Sequence, residues 1–289
     1  MTAVPASRSL PAVDDIIVRA LAEDAPWGDV TSETFLPPET SASAVVAARE
    51  PGVLSGIEVA ARVFEIVDPG TRVELLAADG DAFAAGDVLA RIDGRARSVL
   101  RAERIALNLL QRMSGIATRT RGYVEAVAGT RVRVVDTRKT TPGLRILERR
   151  AVRDGGGRNH RTSLSDAILA KDNHLAVLAA AGIPVGDAIR DARARIGHTV
   201  HLEVEVDRLD QIEEVVAAGV DTIMLDNFTP EQLREGVAIV AGRALVEASG
   251  GVRLETIGEI ARSGVDLISV GALTHDIRAL DLGLDIAIG

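Results

Sequence analysis

Between Asp136 and Arg161 the chain concentrates side chains suited to gripping anions. Residues 138–161 hold eight arginines and lysines against only Glu148 and Asp154, in a chain whose formal net charge is −9. Arg138, Lys139, His160 and Arg161 flank Pro142-Gly143 and Gly155-Gly156-Gly157, where glycine lets backbone approach a ligand closely. Guanidinium forks in such loops suit carboxylates and phosphates, which they hold with paired hydrogen bonds. Arg149 and Arg150 follow a helical spacing and read as a solvated face. Lysine is scarce: Lys139 and Lys171 stand against 31 arginines. Where arginine replaces lysine almost everywhere, two surviving ammonium groups mark positions that need a compact point charge.

Carboxylates supply the other half of the chemistry. In His201-Leu202-Glu203-Val204-Glu205-Val206 a two-residue period sets Glu203 and Glu205 on one face of a strand. An acidic face turned into a core is costly unless something positive meets it. Asp226 closes the next apolar run, Thr222-Ile223-Met224-Leu225. Carboxylates at neighbouring strand ends can hold Mg²⁺ through oxygen, with waters and substrate completing the shell. They can also pair with Lys139, Lys171 or the arginines, and the two readings are compatible. Ser249-Gly250-Gly251 and Gly271-Ala272 fit phosphate cradles made of backbone N–H groups. His275 receives no role. No G-x-G-x-x-G follows a strand, so group transfer is favoured over redox chemistry.

These residues must be positioned by repeating elements. Short apolar runs at 131–135, 167–170, 200–206, 222–225, 244–248 and 266–270 alternate with helical patterns, and nearly all are followed by the polar or glycine residues just named. Thr229-Pro230 with Gln232 marks one helix start. Active-site residues at many strand ends favour an incomplete (β/α) barrel of about six strands over an open sheet. The expected domains are an α/β sandwich at 1–115, joined by the tail 276–289, and the barrel at 116–275. In the first, helices are expected around 13–23 and 57–67, strands at 43–49 and 72–78, and tight turns at Gly80-Asp81, Gly86-Asp87 and Asp93-Gly94. The Gly-Asp pattern resembles the half-barrel of biotinyl and lipoyl carriers, but no lysine precedes 139 to carry a cofactor. From Ser98 to Ile116 apolar residues recur at three and four, leaving Arg101, Arg104, Asn108 and Arg112 on what reads as a solvated face.

Composition removes other classes. The 289 residues include no cysteine, which excludes disulfides, thiolate nucleophiles and Cys-ligated metals and suits a reducing cytoplasm. Six aromatic residues and a negative net charge argue against nucleic acid as a partner. No apolar run approaches the ~20 residues of a membrane span, and no signal-peptide pattern opens the chain.

Six ordered motifs, Asp136-Thr137-Arg138-Lys139-Thr140, Gly155-Gly156-Gly157 with Asn159-His160-Arg161, Lys171-Asp172-Asn173-His174, Glu203-Val204-Glu205-Val206-Asp207, Leu225-Asp226-Asn227-Phe228 and Ser249-Gly250-Gly251, resemble the quinolinate phosphoribosyltransferase family. The resemblance extends from Glu23-Asp24 to Val270-Gly271-Ala272-Leu273-Thr274-His275. It implies transfer from phosphoribosyl pyrophosphate to quinolinate with decarboxylation, giving nicotinate mononucleotide for NAD synthesis, with Mg²⁺ and a homodimer or larger assembly. By motif, Arg104 reaches the pocket of a neighbouring subunit, and Arg138, His160, Arg161 and Lys171 bind the quinolinate carboxylates. Thr137 and Lys139 contact phosphoribosyl pyrophosphate, Glu205 and Asp226 handle metal and ribose, and the Ser249-Gly250-Gly251 and Val270-Gly271-Ala272 loops take the 5′-phosphate. Lys139, Lys171, Glu205 and Asp226 are implied as catalytic. The alternatives are a related phosphoribosyltransferase with another pyridine or base, a Schiff-base lyase using Lys171, and a pyridine-nucleotide sensor without turnover. Lys139→Arg and Lys171→Arg are each expected to cost far more kcat/KM than a charge-preserving change should, and near-parental steady-state kinetics in both would contradict the lysine argument.

Overall fold

The computed structural model describes residues 11–287. Two compact units form, one from residues 11–121, 140–156 and 276–287, the other from 122–139 and 157–275. The chain begins with α1 (Pro11–Asp24), α2 (Val30–Phe35), β1 (Ser41–Ala48), β2 (Gly52–Val53), α3 (Ile57–Val67), β3 (Arg72–Leu75), β4 (Ala82–Phe83), β5 (Val88–Arg95) and α4 (Ala96–Ala126). Asp29 starts α2 by accepting the Ser32 N–H at 3.0 Å. On α3, Ile57, Ala60, Val63 and Phe64 are buried, the stripe expected of a helix laid against a sheet. β1 buries Ala42, Ala44 and Val46 and turns Ser41 and Ser43 outward.

Next come β6 (Arg133–Val135), α5 (Arg145–Asp154), β7 (Ile168–Ala170), α6 (Asp172–Ala180), α7 (Val185–Arg195), β8 (Leu202–Val206), α8 (Ile212–Ala217), β9 (Thr222–Asp226), α9 (Pro230–Val240), β10 (Leu245–Ser249), α10 (Leu254–Ala261), β11 (Leu267–Ser269), α11 (Ala272–His275) and β12 (Leu282–Ala287). β12 pairs antiparallel with β1, completing the sheet β12-β1-β5-β3 of the first unit. The second unit is built on six parallel strands in the order β6-β11-β10-β9-β8-β7. Successive strands β6 and β7 lie at opposite edges, so this is a barrel opened between them, as the six apolar runs implied. Thr229 and Gln232 cap α9 reciprocally.

Five expectations are corrected. Helix α4 continues ten residues past Ile116 because its buried stripe persists through Ala117, Thr120 and Tyr123, although threonine and arginine dilute the pattern. Asp93-Gly94 is not a turn but part of β5, where Asp93 accepts from the Ser43 hydroxyl at 2.6 Å. Arg112 is not simply solvated: its Nε donates to Glu148 Oε1 at 2.8 Å, and the Glu148 carboxylate is buried. Arg149 is buried and Arg150 pairs with Glu58 at 2.6 Å and Asp79 at 2.9 Å, so neither belongs to a simply solvated face. Segment 140–156, assigned to the barrel from sequence, groups by contact with that first unit.

Gly155 closes α5 against α4, and a Cβ there would come within 2.7 Å of Thr120 Cβ and collide with the Ala117 carbonyl. Its backbone needs no glycine conformation, so Gly155→Ala isolates the close approach. We expect a cost of about 1–3 kcal/mol in urea unfolding, against little change for Gly197→Ala, whose Cβ meets nothing within 4 Å.

Candidate active site

The site begins with a carboxylate buried at the end of β6. Asp136 is fully buried and accepts from Asn159 Nδ2 at 2.6 Å and from the His160 N–H at 2.7 Å. Arg158 adds a strand-like pair, donating to the Val134 carbonyl at 2.9 Å and accepting from the Asp136 N–H at 3.0 Å. These bonds fasten the 158–160 segment along β6, and the loop presents His160 and Arg161.

His160 Nε2 lies 3.1 Å from Glu203 Oε2 on β8 and 3.5 Å from Glu247 Oε2 on β10. Its Nδ1 lies 2.8 Å from the Arg161 backbone nitrogen, which fixes the ring so that Nε2–H is aimed at the carboxylates. Burial opposes charge on His160, but the hydrogen bond of Glu203 and the nearby carboxylates of Glu203 and Glu247 outweigh it and push its pKa up to about 10. Burial also raises Glu203, with His160 offsetting only part. No hydrogen bond reaches Glu203 Oε1 or either Glu247 oxygen among the described residues. Raised proton affinity therefore belongs to the cluster as a whole.

Around it runs a cavity of about 550 Å³. Thr137, Arg138 and Lys139 follow β6 into its wall, His160 and Arg161 come from the loop, and Lys171 precedes α6. Glu205 and Asp226 end β8 and β9, and Ser249, Gly250 and Gly251 follow β10. Burial, and then the neighbouring Arg138 charge, lower the pKa of Arg161, while Glu203 and Asp166 oppose the shift. Lys171 Nζ pairs with Glu205 Oε2 at 3.0 Å, which supplies the positive group the acidic strand face required. The Lys139 carbonyl accepts from Thr274 Oγ1 at 2.7 Å, and a Cβ on Gly271 would come within 3.1 Å of Lys139 Cδ and 3.0 Å of His275 Cε1. Gly271 thus abuts the lysine, but neither it nor Val270 nor Ala272 is among the cavity-lining residues. Arg104 is exposed on α4 in the first unit.

Reasoning from sequence missed Asp136 as the anchor of the loop, although the motif contained it. It also missed Glu203 as the partner of His160, and Glu247 entirely. The signal for Glu247 was a single acid inside the apolar run Leu245-Val246-Glu247-Ala248.

An α/β barrel that gathers cations, carboxylates and glycine turns at the C-terminal ends of its strands defines a transferase scaffold for anionic substrates. Residues 29–114 match the N-terminal domain of quinolinate phosphoribosyl transferase and residues 116–285 its C-terminal domain. The chain belongs to the quinolinate phosphoribosyl transferase family, and the resemblance carried by its motifs holds. It is 44% identical over 281 residues to the nicotinate-nucleotide pyrophosphorylase [carboxylating] of Mycobacterium leprae, covering 95% of this chain and 97% of the relative. It is 40% identical over 266 residues to a probable nicotinate-nucleotide pyrophosphorylase [carboxylating] of Bacillus subtilis, covering 92% and 90%. The crystal structure of NadC from Streptococcus pyogenes superposes with a TM-score of 0.91 at 42% identity, covering 96% of this chain and 97% of that one.

The cluster makes a pH prediction. Its native proton affinity exceeds that of the unfolded chain, where histidine titrates near ~6.5. The stabilisation is therefore complete below that pH and is lost as pH rises through about 10, and the raised Glu203 acts in the same direction. Arg161 and His201 also act on Glu203, and Arg138 acts on Arg161. Urea unfolding should show stability falling by at least about 1.4 kcal/mol across this window, with the fall removed in the Glu203→Gln, Glu247→Gln double variant. An equal slope in parent and variant would contradict the assignment.

Proposed function

We propose that this chain joins quinolinate to phosphoribosyl pyrophosphate and releases pyrophosphate and carbon dioxide, giving nicotinate mononucleotide for NAD synthesis. The observation that carries the reading is the cavity in which Arg138 and Arg161 are held together beside Lys171, a charge arrangement matched to a small dicarboxylate. In this scheme Arg138, Arg161 and Lys171 hold the two carboxylates, with His160 fixing the cavity floor and the Arg161 backbone. Lys139, Thr137 and the Ser249-Gly250-Gly251 turn receive the phosphates, joined by the Val270-Gly271-Ala272 segment next to Lys139. The pyridine nitrogen bonds to ribose C1 as the bond from C1 to pyrophosphate breaks and its electron pair leaves with pyrophosphate. Loss of carbon dioxide then leaves an electron pair on the adjacent ring carbon, stabilised by the pyridinium, and a proton from solvent completes the product.

Glu205 and Asp226 are hard oxygen donors lining the same cavity, and they also line a second cavity of about 610 Å³ with Asp172 and Asp207. That donor set fits Mg²⁺ held through water and substrate oxygens, since two carboxylates fall short of an octahedral shell. Bound there, the metal would supply charge to the departing pyrophosphate. Removing either carboxylate, by Glu205→Gln or Asp226→Asn, should weaken Mg²⁺-dependent use of phosphoribosyl pyrophosphate and leave quinolinate affinity intact or tighter. The Schiff-base alternative is disfavoured because Lys171 Nζ is engaged in a salt bridge, whereas carbinolamine formation needs a neutral amine.

Assembly is part of the same reading. Trp27, Val30 and Phe35 are 92%, 71% and 79% exposed around α2, an apolar surface suited to a second copy of the chain. Arg104, exposed on the same unit, would then serve the partner's pocket. A cytoplasmic setting fits the absence of cysteine, and no helix among the described residues is long and apolar enough to cross a membrane.

Steady-state assays with quinolinate, nicotinate and nicotinamide test the reaction directly: turnover with carbon dioxide release is expected from quinolinate, and equal turnover of nicotinate would contradict it. For the shared site, Arg104→Ala mixed with Lys171→Ala should regain activity through hybrid dimers that keep one intact site. Continued inactivity, with subunit exchange verified, would assign Arg104 to its own chain.

A further inference from the structure

Asn227 is one of two residues other than glycine with a positive φ among the described residues, at 61°. The second, Ala241 at 49°, ends helix α9, where a left-handed residue is an ordinary cap. Asn227 instead follows β9 directly, on the wall of both cavities. Glycine would adopt this backbone without steric cost, so what the position keeps by holding asparagine is a carboxamide.

That carboxamide works in two directions. Its Nδ2 donates to Asp226 Oδ2 at 2.6 Å, which takes up one carboxylate oxygen and restricts rotation of the group. Its other side meets the glycine turn after β10: a Cβ on Gly250 would lie 2.6 Å from Asn227 Cγ and overlap Oδ1. The backbone holds the same two strands in register, since the Asn227 N–H donates to the Ser249 carbonyl at 2.9 Å. Gly250 itself has φ 88° and Gly251 φ 59°, so the turn depends on glycine geometry and on the side chain pressed against it.

We propose that Asn227 is a positioning residue that sets the Asp226 carboxylate and the Gly250-Gly251 turn together, so that the metal- and ribose-facing group and the phosphate-facing backbone keep one fixed spacing. The proposal rests on the placement of phosphoribosyl pyrophosphate given above. It assigns Asn227 to the use of that substrate and not of quinolinate, whose cations are on Arg138, Arg161 and Lys171, beyond the edge strands β6 and β7 and not on β9 or β10. It also explains the strain: the left-handed backbone points one short side chain at both neighbours, which an extended residue at the strand end could not do.

Two substitutions separate the contributions. Asn227→Gly removes the carboxamide and relieves the backbone, so the melting temperature should not fall. Asn227→Asp keeps the shape and the tolerance for positive φ but exchanges the Nδ2 donor for an acceptor. Calorimetric titration with Mg²⁺-phosphoribosyl pyrophosphate and with quinolinate, beside steady-state kinetics, should show KM for phosphoribosyl pyrophosphate raised on the order of tenfold or more in both variants. Quinolinate affinity should stay near the parental value. Parental KM for phosphoribosyl pyrophosphate in both variants overturns the proposal, as does an equal loss for both substrates with a lowered melting temperature. Asp226→Asn run in parallel distinguishes the two levels: if it too leaves phosphoribosyl pyrophosphate use unchanged, the placement of that substrate is wrong. If Asp226→Asn alone is impaired, only the role of Asn227 is.

Discussion

The site depends on a single buried carboxylate. Asp136 has no access to solvent, so its carboxyl group must be met by donors from the protein, and among them are the side chain of Asn159 and the backbone of His160. Those bonds tie the 157–161 loop to β6, because breaking them would take buried donors away from a carboxyl group that water does not reach. The bonds lie at the edge strand where the barrel is open, the place at which a parallel sheet would otherwise lack a neighbour. Everything the loop carries follows: His160 over Glu203 and Glu247, and Arg161 beside Arg138.

Electrostatics then divides the cavity. On its floor, two buried glutamates face His160 Nε2, and three of their four oxygens have no hydrogen bond among the described residues. Above them, guanidinium and ammonium groups accumulate, and the Lys171 charge is answered directly by Glu205, an acid at a strand end. Such a site is organised before substrate arrives, and an anionic substrate completes it instead of having to build it.

What could be read from the sequence followed from how each feature is encoded. The six barrel strands were legible because parallel strands are buried on both faces and show as short apolar runs; Leu202, Val204 and Val206 on β8 are all buried. Lysine scarcity pointed to Lys139 and Lys171, both of which line the cavity. The arginines were harder, because spacing separates helix faces but does not say what another segment brings to them. Arg112 and Arg150 looked solvated until Glu148, Glu58 and Asp79 arrived from elsewhere in the chain. Asp93-Gly94 carried turn residues, yet strand pairing with β1 and β3 overrode that local preference. Glu247 and the aim of His160 depend on strand order, which no local pattern contains.

The central claim is that the dicarboxylate and the phosphoribosyl donor meet within the cavity of the second unit, carboxylates on Arg138, Arg161 and Lys171 and phosphates on the turn after β10. The most direct test is a crystal structure of the protein with quinolinate and a non-reactive analogue of phosphoribosyl pyrophosphate in the presence of Mg²⁺. The account predicts both quinolinate carboxylates within hydrogen-bonding distance of those three cations and the 5′-phosphate against Ser249, Gly250 and Gly251. Quinolinate bound away from the paired arginines, or a phosphate on a surface outside the strand ends, would contradict it.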